Sequence, residues 1–233
     1  MDGLLVVNKP VGWSSMDVVR RVRAAAGGGK VGHAGTLDPL ADGVVVCCLG
    51  RATRRVEQIM GLPKTYRAGV DLSAFTRTDD RESVPEPVAV AHPPPPQTVE
   101  AALARFVGRI EQTPPAHSAM RVEGRRAYQL ARAGQPVALT PRPVTIHRIA
   151  QIEYAWPIAT LRIRCGRGTY IRSLARDLGR ALGTGGHLAR LCREAVGPFT
   201  LEQAVTVERC AEGLGPADLI EPASALDAPR SAP

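Results

Sequence analysis

Gly32-His33-Ala34-Gly35-Thr36-Leu37-Asp38-Pro39-Leu40-Ala41-Asp42-Gly43 runs directly into Val44-Val45-Val46-Cys47-Cys48-Leu49. Three glycines and a proline surround Asp38, and the apolar run behind them has the length of a buried central strand. The pattern predicts a tight loop that holds a carboxylate at the edge of that strand. Two readings of the carboxylate stand side by side. Asp38 either bonds its own backbone in a turn, as Asx residues do, or it carries chemistry. An aspartate, with a reference pKa of ~3.9, is ionised at neutral pH, so as a nucleophile it needs no base to activate it. Inside a protein it does need a cation nearby. Arg172, near the start of an amphipathic helix, is the candidate.

Working outward, Gly3 to Val7 reads as a short strand ended by Asn8-Lys9-Pro10. Ser14 or Ser15 then caps a helix with Val18, Val19, Val22 and Ala26 on one face, closed by Gly27-Gly28-Gly29. A helix is expected over Arg51–Met60 and a strand over Lys64–Leu72. Residues 83–97 are proline-rich and are expected to run as an extended, unpaired connector. Val99, Ala102, Leu103, Phe106 and Val107 follow helical spacing, and Val144–Cys165 turns extended, with alternation at Leu161–Cys165. Ile171, Leu174, Ala175, Leu178, Ala181 and Leu182 line one helix face, and Gly183 stops it. Elements alternate irregularly, which points to an α+β or mixed domain, not a doubly wound sheet.

The chain has 233 residues, enough for one substantial domain or two small ones, and is 44% hydrophobic and 22% charged, which excludes a disordered or collagen-like chain. No apolar run reaches membrane-spanning length, and the start reads as that of a mature cytoplasmic protein. Net charge is +8; Lys9, Lys30 and Lys64 are the only lysines, so the other twenty-seven basic residues are arginine. Arginine's planar fork matches phosphate, which makes nucleic acid the first partner to consider. A bias in genome base composition would enrich Arg, Ala, Gly and Pro together without any such meaning. The five cysteines, with no C-x-x-C pair, read as buried apolar groups in a reducing compartment.

Several sites are excluded by spacing. Gly28-Gly29-Lys30 lacks the glycine and Ser/Thr of a P-loop, and Gly166-Arg167-Gly168 lacks the third glycine of a dinucleotide fingerprint. The five histidines are scattered with no zinc-ligand spacing, so no metal site is expected. No serine sits in a nucleophile elbow.

The segment His33–Ala41 closely resembles the catalytic motif of the TruB family of tRNA pseudouridine synthases. The resemblance runs in order along nearly the whole chain. It takes in Leu5-Val6-Val7-Asn8-Lys9-Pro10 with Gly12 and Ser14, then Leu49-Gly50-Arg51-Ala52-Thr53-Arg54 and Lys64-Thr65-Tyr66. Pro114-Pro115, Ser118-Ala119 and Gly124-Arg125-Arg126-Ala127-Tyr128 follow. Gly168-Thr169-Tyr170-Ile171-Arg172-Ser173-Leu174, Asp177-Leu178-Gly179, Leu191-Cys192-Arg193 and Gly197-Pro198-Phe199 complete it.

That resemblance implies a pseudouridine synthase fold: a mixed, largely antiparallel sheet flanked by helices. It implies a single catalytic domain over residues 1–225, with the 83–97 connector inside it and a flexible tail at 226–233. The implied reaction converts a T-loop uridine of tRNA, conventionally numbered 55, into pseudouridine without cofactor or metal, in a protein expected to be a cytoplasmic monomer. The implied catalytic residues are Asp38 as nucleophile, Arg172 pairing with it, and Tyr66 stacking on the target base and helping proton removal. On the substrate side the resemblance places Leu191 against the flipped base and His33 filling the opened RNA loop, with Lys64 and Tyr170 nearby. Lys9 belongs to a motif that buttresses the site.

There are departures from the family pattern. Asp42 stands where a small neutral residue, typically Thr, is usual. A second acid four residues on would repel the nucleophile's charge if the two faced each other, so Asp42 is expected to point to solvent or to an arginine. His117 replaces a tyrosine and Arg77 an acid. The chain also stops soon after Phe199, leaving no room for a full additional RNA-binding domain, so a weaker grip on the acceptor side of tRNA is expected. Two other readings remain open: an RNA-binding protein whose catalysis is dispensable or lost, and a carboxylate glycosidase using Asp38 and Asp42. The second lacks an aromatic sugar platform, with nine aromatic residues in all.

Overall fold

The computed structural model describes residues 1–118, 120–122, 125–126, 130 and 139–222. The expected tail at 226–233, and most of the Gly124–Tyr128 motif, lie outside the described residues. The elements in order are β1 (Gly3–Lys9), α1 (Ser15–Ala25), β2 (Val31–His33), β3 (Asp42–Leu49), α2 (Val56–Gly61), β4 (Lys64–Asp71), β5 (Ala74–Thr76), β6 (Pro85–Pro87), α3 (Pro96–Ala104) and β7 (Gly108–Gln112). They continue with β8 (Arg121–Val122), β9 (Arg125–Arg126), β10 (Arg142–Ala155), β11 (Ile158–Cys165), α4 (Ile171–Leu182), β12 (His187–Val196), β13 (Phe199–Thr200), β14 (Val205–Thr206) and α5 (Val207–Ala211). The class is α+β, and the strand pairs are mostly antiparallel, β1–β14 and β3–β12 being parallel.

The chain forms two compact units, Met1–Tyr66 with the residues from Cys192 onward, and Arg67–Leu191. In the first unit the strand order is β14-β1-β3-β12, with β2 also on β3 and β13 on β12. Val44–Leu49 is buried throughout, because neighbours flank β3 on its edges and layers cover its faces. One face packs Val44, Val46 and Cys48 with Leu4, Val6, Ile59 and Phe199. Ser14, not Ser15, caps α1: its Oγ accepts from the Asp17 N–H, and Asp17 Oδ2 accepts from the Ser14 N–H at 2.8 Å, a reciprocal capping box. The helix expected over Arg51–Met60 begins instead as a 3₁₀ turn, Gly50–Arg55, before α2. Gly50 opens that turn at φ 56°, and Thr53 Oγ1 donates back to the Gly50 carbonyl at 2.7 Å.

In the second unit the order is β4-β11-β10-β7, and α3 packs on β10 and α4. The expectation that residues 83–97 run unpaired is corrected here. Pro85–Pro87 pairs antiparallel with β5, Thr76 opposite Pro85 and Ala74 opposite Pro87. Prolines two residues apart share one strand edge, so the missing N–H groups fall on that edge and Glu86 between them keeps its donor. The tetraproline run is also fastened, because Tyr154 Oη donates to the Pro94 carbonyl at 2.8 Å. Its last residue, Pro96, opens α3, where a missing N–H costs nothing.

Gly183 ends α4 in the left-handed conformation at φ 69°, the classical role of glycine at that place. The returning turn then presses against the helix. A Cβ added to Gly179 would lie 2.1 Å from the Gly185 carbonyl oxygen and 2.7 Å from Gly186 Cα. Helix propensity favours alanine by about 1 kcal/mol, but backbone on both sides leaves nothing flexible to yield. Gly179→Ala is therefore expected to destabilise by about 1–3 kcal/mol, lowering Tm by roughly 2–4 °C for each. A raised Tm in a thermal melt would show that the turn gives way.

Candidate active site

In the first unit, the loop between β2 and β3 carries Asp38, which is half-buried. A loop rich in glycine has no ladder of its own, so its peptide groups must be met by other elements. They are met at nearly every step. The Leu37 N–H donates to Ser15 Oγ at 2.8 Å, and Ser15 Oγ donates to the Leu37 carbonyl at 3.2 Å. The Gly12 N–H donates to the Pro39 carbonyl at 2.7 Å. The peptides on both sides of Asp38 are thus fastened to the Pro10–Ser15 turn, and the Ala41 N–H closes the loop on the Asp38 carbonyl at 3.1 Å.

Two buried cations complete the cradle. Lys9 has no exposed surface, and its Nζ donates to the carbonyls of Pro10, Trp13 and Ala41. Arg193 is 1% exposed; its Nε donates to the Val44 carbonyl at 2.7 Å, its Nη1 to Thr36 at 3.2 Å and its Nη2 to Gly35 at 3.1 Å. Arg193 is a site residue that the sequence reading quoted in a motif without giving it a role. Its signal was its place two residues after the buried Leu191 on a strand, which puts its side chain on the same face.

His33 ends β2 opposite Cys47. Burial, aided by the Arg193 charge, pushes its imidazole below the usual range, while the Gly35 backbone acts the other way; His33 is a neutral ring at neutral pH. Asp42, expected to point to solvent or to an arginine, is half-buried with its Oδ1 buried and without a hydrogen-bond partner, and its negative charge favours the ammonium of Lys9. Lys64 is 7% exposed, its Nζ donating to the carbonyls of Met60 and Leu62. Tyr66 is half-buried on β4.

In the second unit, Arg172 is 7% exposed on the first turn of α4. Its Nη1 faces Asp80 Oδ2 and the Thr78 carbonyl at 3.3 and 3.4 Å, and its Nη2 donates to the His117 carbonyl at 3.2 Å. Asp80, 1% exposed, was not singled out from the sequence. One turn further along, Arg176 Nη1 pairs with Asp79 Oδ2 at 2.7 Å. Asp79 sits at φ 59°, a conformation that aspartate tolerates better than most residues. Burial raises its carboxyl above the usual range, against the pull of Arg176 and Arg172. Tyr170 caps α4 through its backbone, bonded reciprocally to the Gln112 side chain at 2.8 and 3.1 Å. Leu191 is 5% exposed on β12. Of the two positions that depart from the family pattern here, Arg77 is exposed and His117 lends its carbonyl to Arg172.

Solved structures with a similar fold are chains of a Cbf5-Nop10-Gar1 complex and of an H/ACA RNP bound to a substrate RNA containing 2′-deoxyuridine. The first has a TM-score of 0.69 and 29% identity, over 88% of this chain and 52% of that one. The second has a TM-score of 0.69 and 26% identity, over 96% and 60%. Family models described as TruB family pseudouridylate synthase (N terminal domain) and tRNA pseudouridylate synthase B C-terminal domain match residues 21–171 and 172–219. Fold and models together define the class, pseudouridine synthase. The tRNA pseudouridine synthase B of Arthrobacter sp. (strain FB24) is 47% identical over 97% of this chain and 76% of its own length. That of Paenarthrobacter aurescens (strain TC1) is 48% identical over 92% and 71%. The chain belongs to the TruB family of pseudouridylate synthases. It spans about half the length of the first of the solved chains.

Two outcomes test this geometry. Arg172→Ala strands the Asp80 carboxylate and is expected to cost about 3–5 kcal/mol in denaturant unfolding, with Asp80→Ala restoring part of the loss; strict additivity of the two would mean that the pair is not coupled. Burial pulls Lys9 down to about 8 from its usual 10.5, against the favourable charges of Asp42 and Asp38. Between those values the unfolded chain holds a proton that the folded one has lost, so the contribution of Lys9 to stability rises with pH. The stability of the native chain relative to Lys9→Met is expected to grow from pH 8 to 10, by on the order of 1 kcal/mol per unit. A difference that stays flat would place the Lys9 ammonium in water.

Proposed function

We propose that the chain isomerises a uridine in the T loop of tRNA to pseudouridine, as a cytoplasmic monomer, with Asp38 as the nucleophile. The observation that carries this reading is the presentation of Asp38: a half-buried carboxylate on a loop whose neighbouring peptides, at Leu37 and Pro39, are both hydrogen-bonded to the Pro10–Ser15 turn. A turn that only satisfied its own backbone would not need two buried cations to hold it. The names of the relatives, tRNA pseudouridine synthase B, support the substrate.

The reaction is an exchange of bonds within one nucleotide. The bond from N1 to C1′ breaks with the help of the Asp38 carboxylate, the base rotates while still held, C5 bonds to C1′, the proton on C5 leaves and N1 takes up a proton, so that the product is an isomer of the substrate. Reaching those atoms requires the uridine to leave its stack. Tyr66 compensates by stacking on the base, worth roughly 1–3 kcal/mol, and takes part in removing the proton. Arg172, oriented by Asp80 and by the Thr78 and His117 carbonyls, is the cation that serves Asp38. Leu191 packs against the extruded base, and the neutral ring of His33 enters the space that the base has left. Tyr170 belongs to the substrate side through the helix end that it caps. Lys9 and Lys64, each holding carbonyls, support the site from beneath.

The test is tritium release from a T-loop transcript labelled at uridine C5, since that label must leave when C5 becomes the glycosidic carbon. Release is expected from the native chain and is expected to fall to background in Asp38→Asn, with RNA binding retained. Binding by both proteins with release by neither would make the chain an RNA-binding relative without chemistry.

A further inference from the structure

The turn that fastens the Asp38 loop has an outward side that the reaction does not use. Trp13 sits on it, half-buried, and the Arg21 guanidinium lies over the indole at 5.8 Å from the ring centroid. Gly12, Trp13, Asp17, Arg20 and Arg21 line an open cleft of about 420 Å³. Residues 17, 20 and 21 share one face of α1 by helical spacing. The two arginines are not equivalent. Arg20 is paired with Asp17, whose carboxyl is held down to about 2 by Ser14 and then Arg20. Arg21 has no carboxylate within ion-pair distance among the described residues and lies on the exposed side of the helix. The platform is also tied to the catalytic loop: the carbonyl of Trp13 accepts from Lys9 at 2.7 Å, and its neighbour Gly12 donates to Pro39.

We propose that Trp13 and Arg21 form an RNA-contact platform flanking the target uridine, where an unstacked base or ribose of the substrate lies against the indole and a neighbouring phosphate meets the guanidinium. The inference rests on the reading of the chain as an enzyme acting on RNA. RNA is the favoured occupant because an aromatic ring beside a cation is a stacking surface for any base, and a guanidinium without a carboxylate partner supplies the forked donor that phosphate takes. Rigid attachment to the Asp38 loop makes this contact part of substrate alignment.

The experiment measures Kd and tritium release with a T-arm hairpin labelled at uridine C5, using Trp13→Ala, Trp13→Phe, Arg20→Ala and Arg21→Ala, each checked by thermal melting. Trp13→Ala and Arg21→Ala are expected to weaken binding by about fivefold or more, raising KM more than they lower kcat, and Trp13→Phe is expected to recover most of the loss. Arg21→Ala is expected to flatten the dependence of log Kd on log salt by about 0.7–0.9, and Arg20→Ala by less, because Asp17 already meets its charge. Native Kd and salt slope in both Trp13→Ala and Arg21→Ala would overturn the proposal. So would a loss confined to kcat, which would make the turn only a support for Asp38. Should the native chain bind the hairpin and release no tritium, the reaction proposed above fails while the binding measurements still decide the platform.

Discussion

Two cations taken out of water hold the loop that carries Asp38. Burying an ammonium or a guanidinium costs several kcal/mol unless its donors are met, and a glycine-rich loop leaves carbonyls that need donors just as much. Lys9 and Arg193 solve both problems at once, since their partners are the carbonyls of Gly35, Thr36, Ala41 and Val44 around Asp38. The arrangement fixes other choices in turn. Gly43 has to be glycine because it stands at φ 112° with the Arg193 carbonyl where a Cβ would be, 2.3 Å away. Gly35, at φ 110°, turns its carbonyl to the guanidinium. Asp42, with Asp38, places negative charge near Lys9, against the positive charge of Arg193.

The second unit uses the same device with the partners exchanged. Arg172 and Arg176, one turn apart on α4, are buried against Asp80 and Asp79 and against the Thr78, His117 and Thr113 carbonyls. A buried ion pair is weak evidence for stability but strong evidence for a fixed geometry, because only one arrangement satisfies every donor. Arg172 meets these partners from two separate nitrogens, Nη1 for Asp80 and Thr78 and Nη2 for His117, a fork that lysine lacks.

What was legible beforehand follows from where the physics is local. The α4 helix, its stop at Gly183 and the strand Val44–Leu49 were readable because periodicity, a left-handed glycine and an unbroken apolar run each act over a few residues. The loop bearing Asp38 was visible as a loop for the same reason, and the family resemblance gave it a role. The pairing of Pro85–Pro87 was misread because proline lacks a donor; a short pair needs only the donor at Glu86, and the register that places it there depends on β5. Asp80 and Arg193 were missed for a different reason. Their roles arise from contacts 92 to 158 residues apart in the chain; only Arg193 carries a local mark, its place on the strand face of Leu191. Asp42 shows the same gap: the expectation named solvent or an arginine, and the cation that its charge favours is Lys9.

The charge count looks different once the fold is known. Twenty-seven arginines suggested nucleic acid, yet Arg172, Arg176 and Arg193 spend their donors inside the protein, and Arg51 and Arg209 are paired at the surface with Asp2 and Asp218. Arginine serves here first as an internal fastener, a use that its five donors and permanent charge suit better than lysine's. The sum of charges therefore overstates what a polyanion meets, and the part that bears on recognition is positional. A guanidinium such as that of Arg21, lying on an indole and unmatched by acid, is worth more to an RNA than several that are already neutralised. Composition pointed to the class of partner, and pairing across the fold identifies which cations are left to meet it.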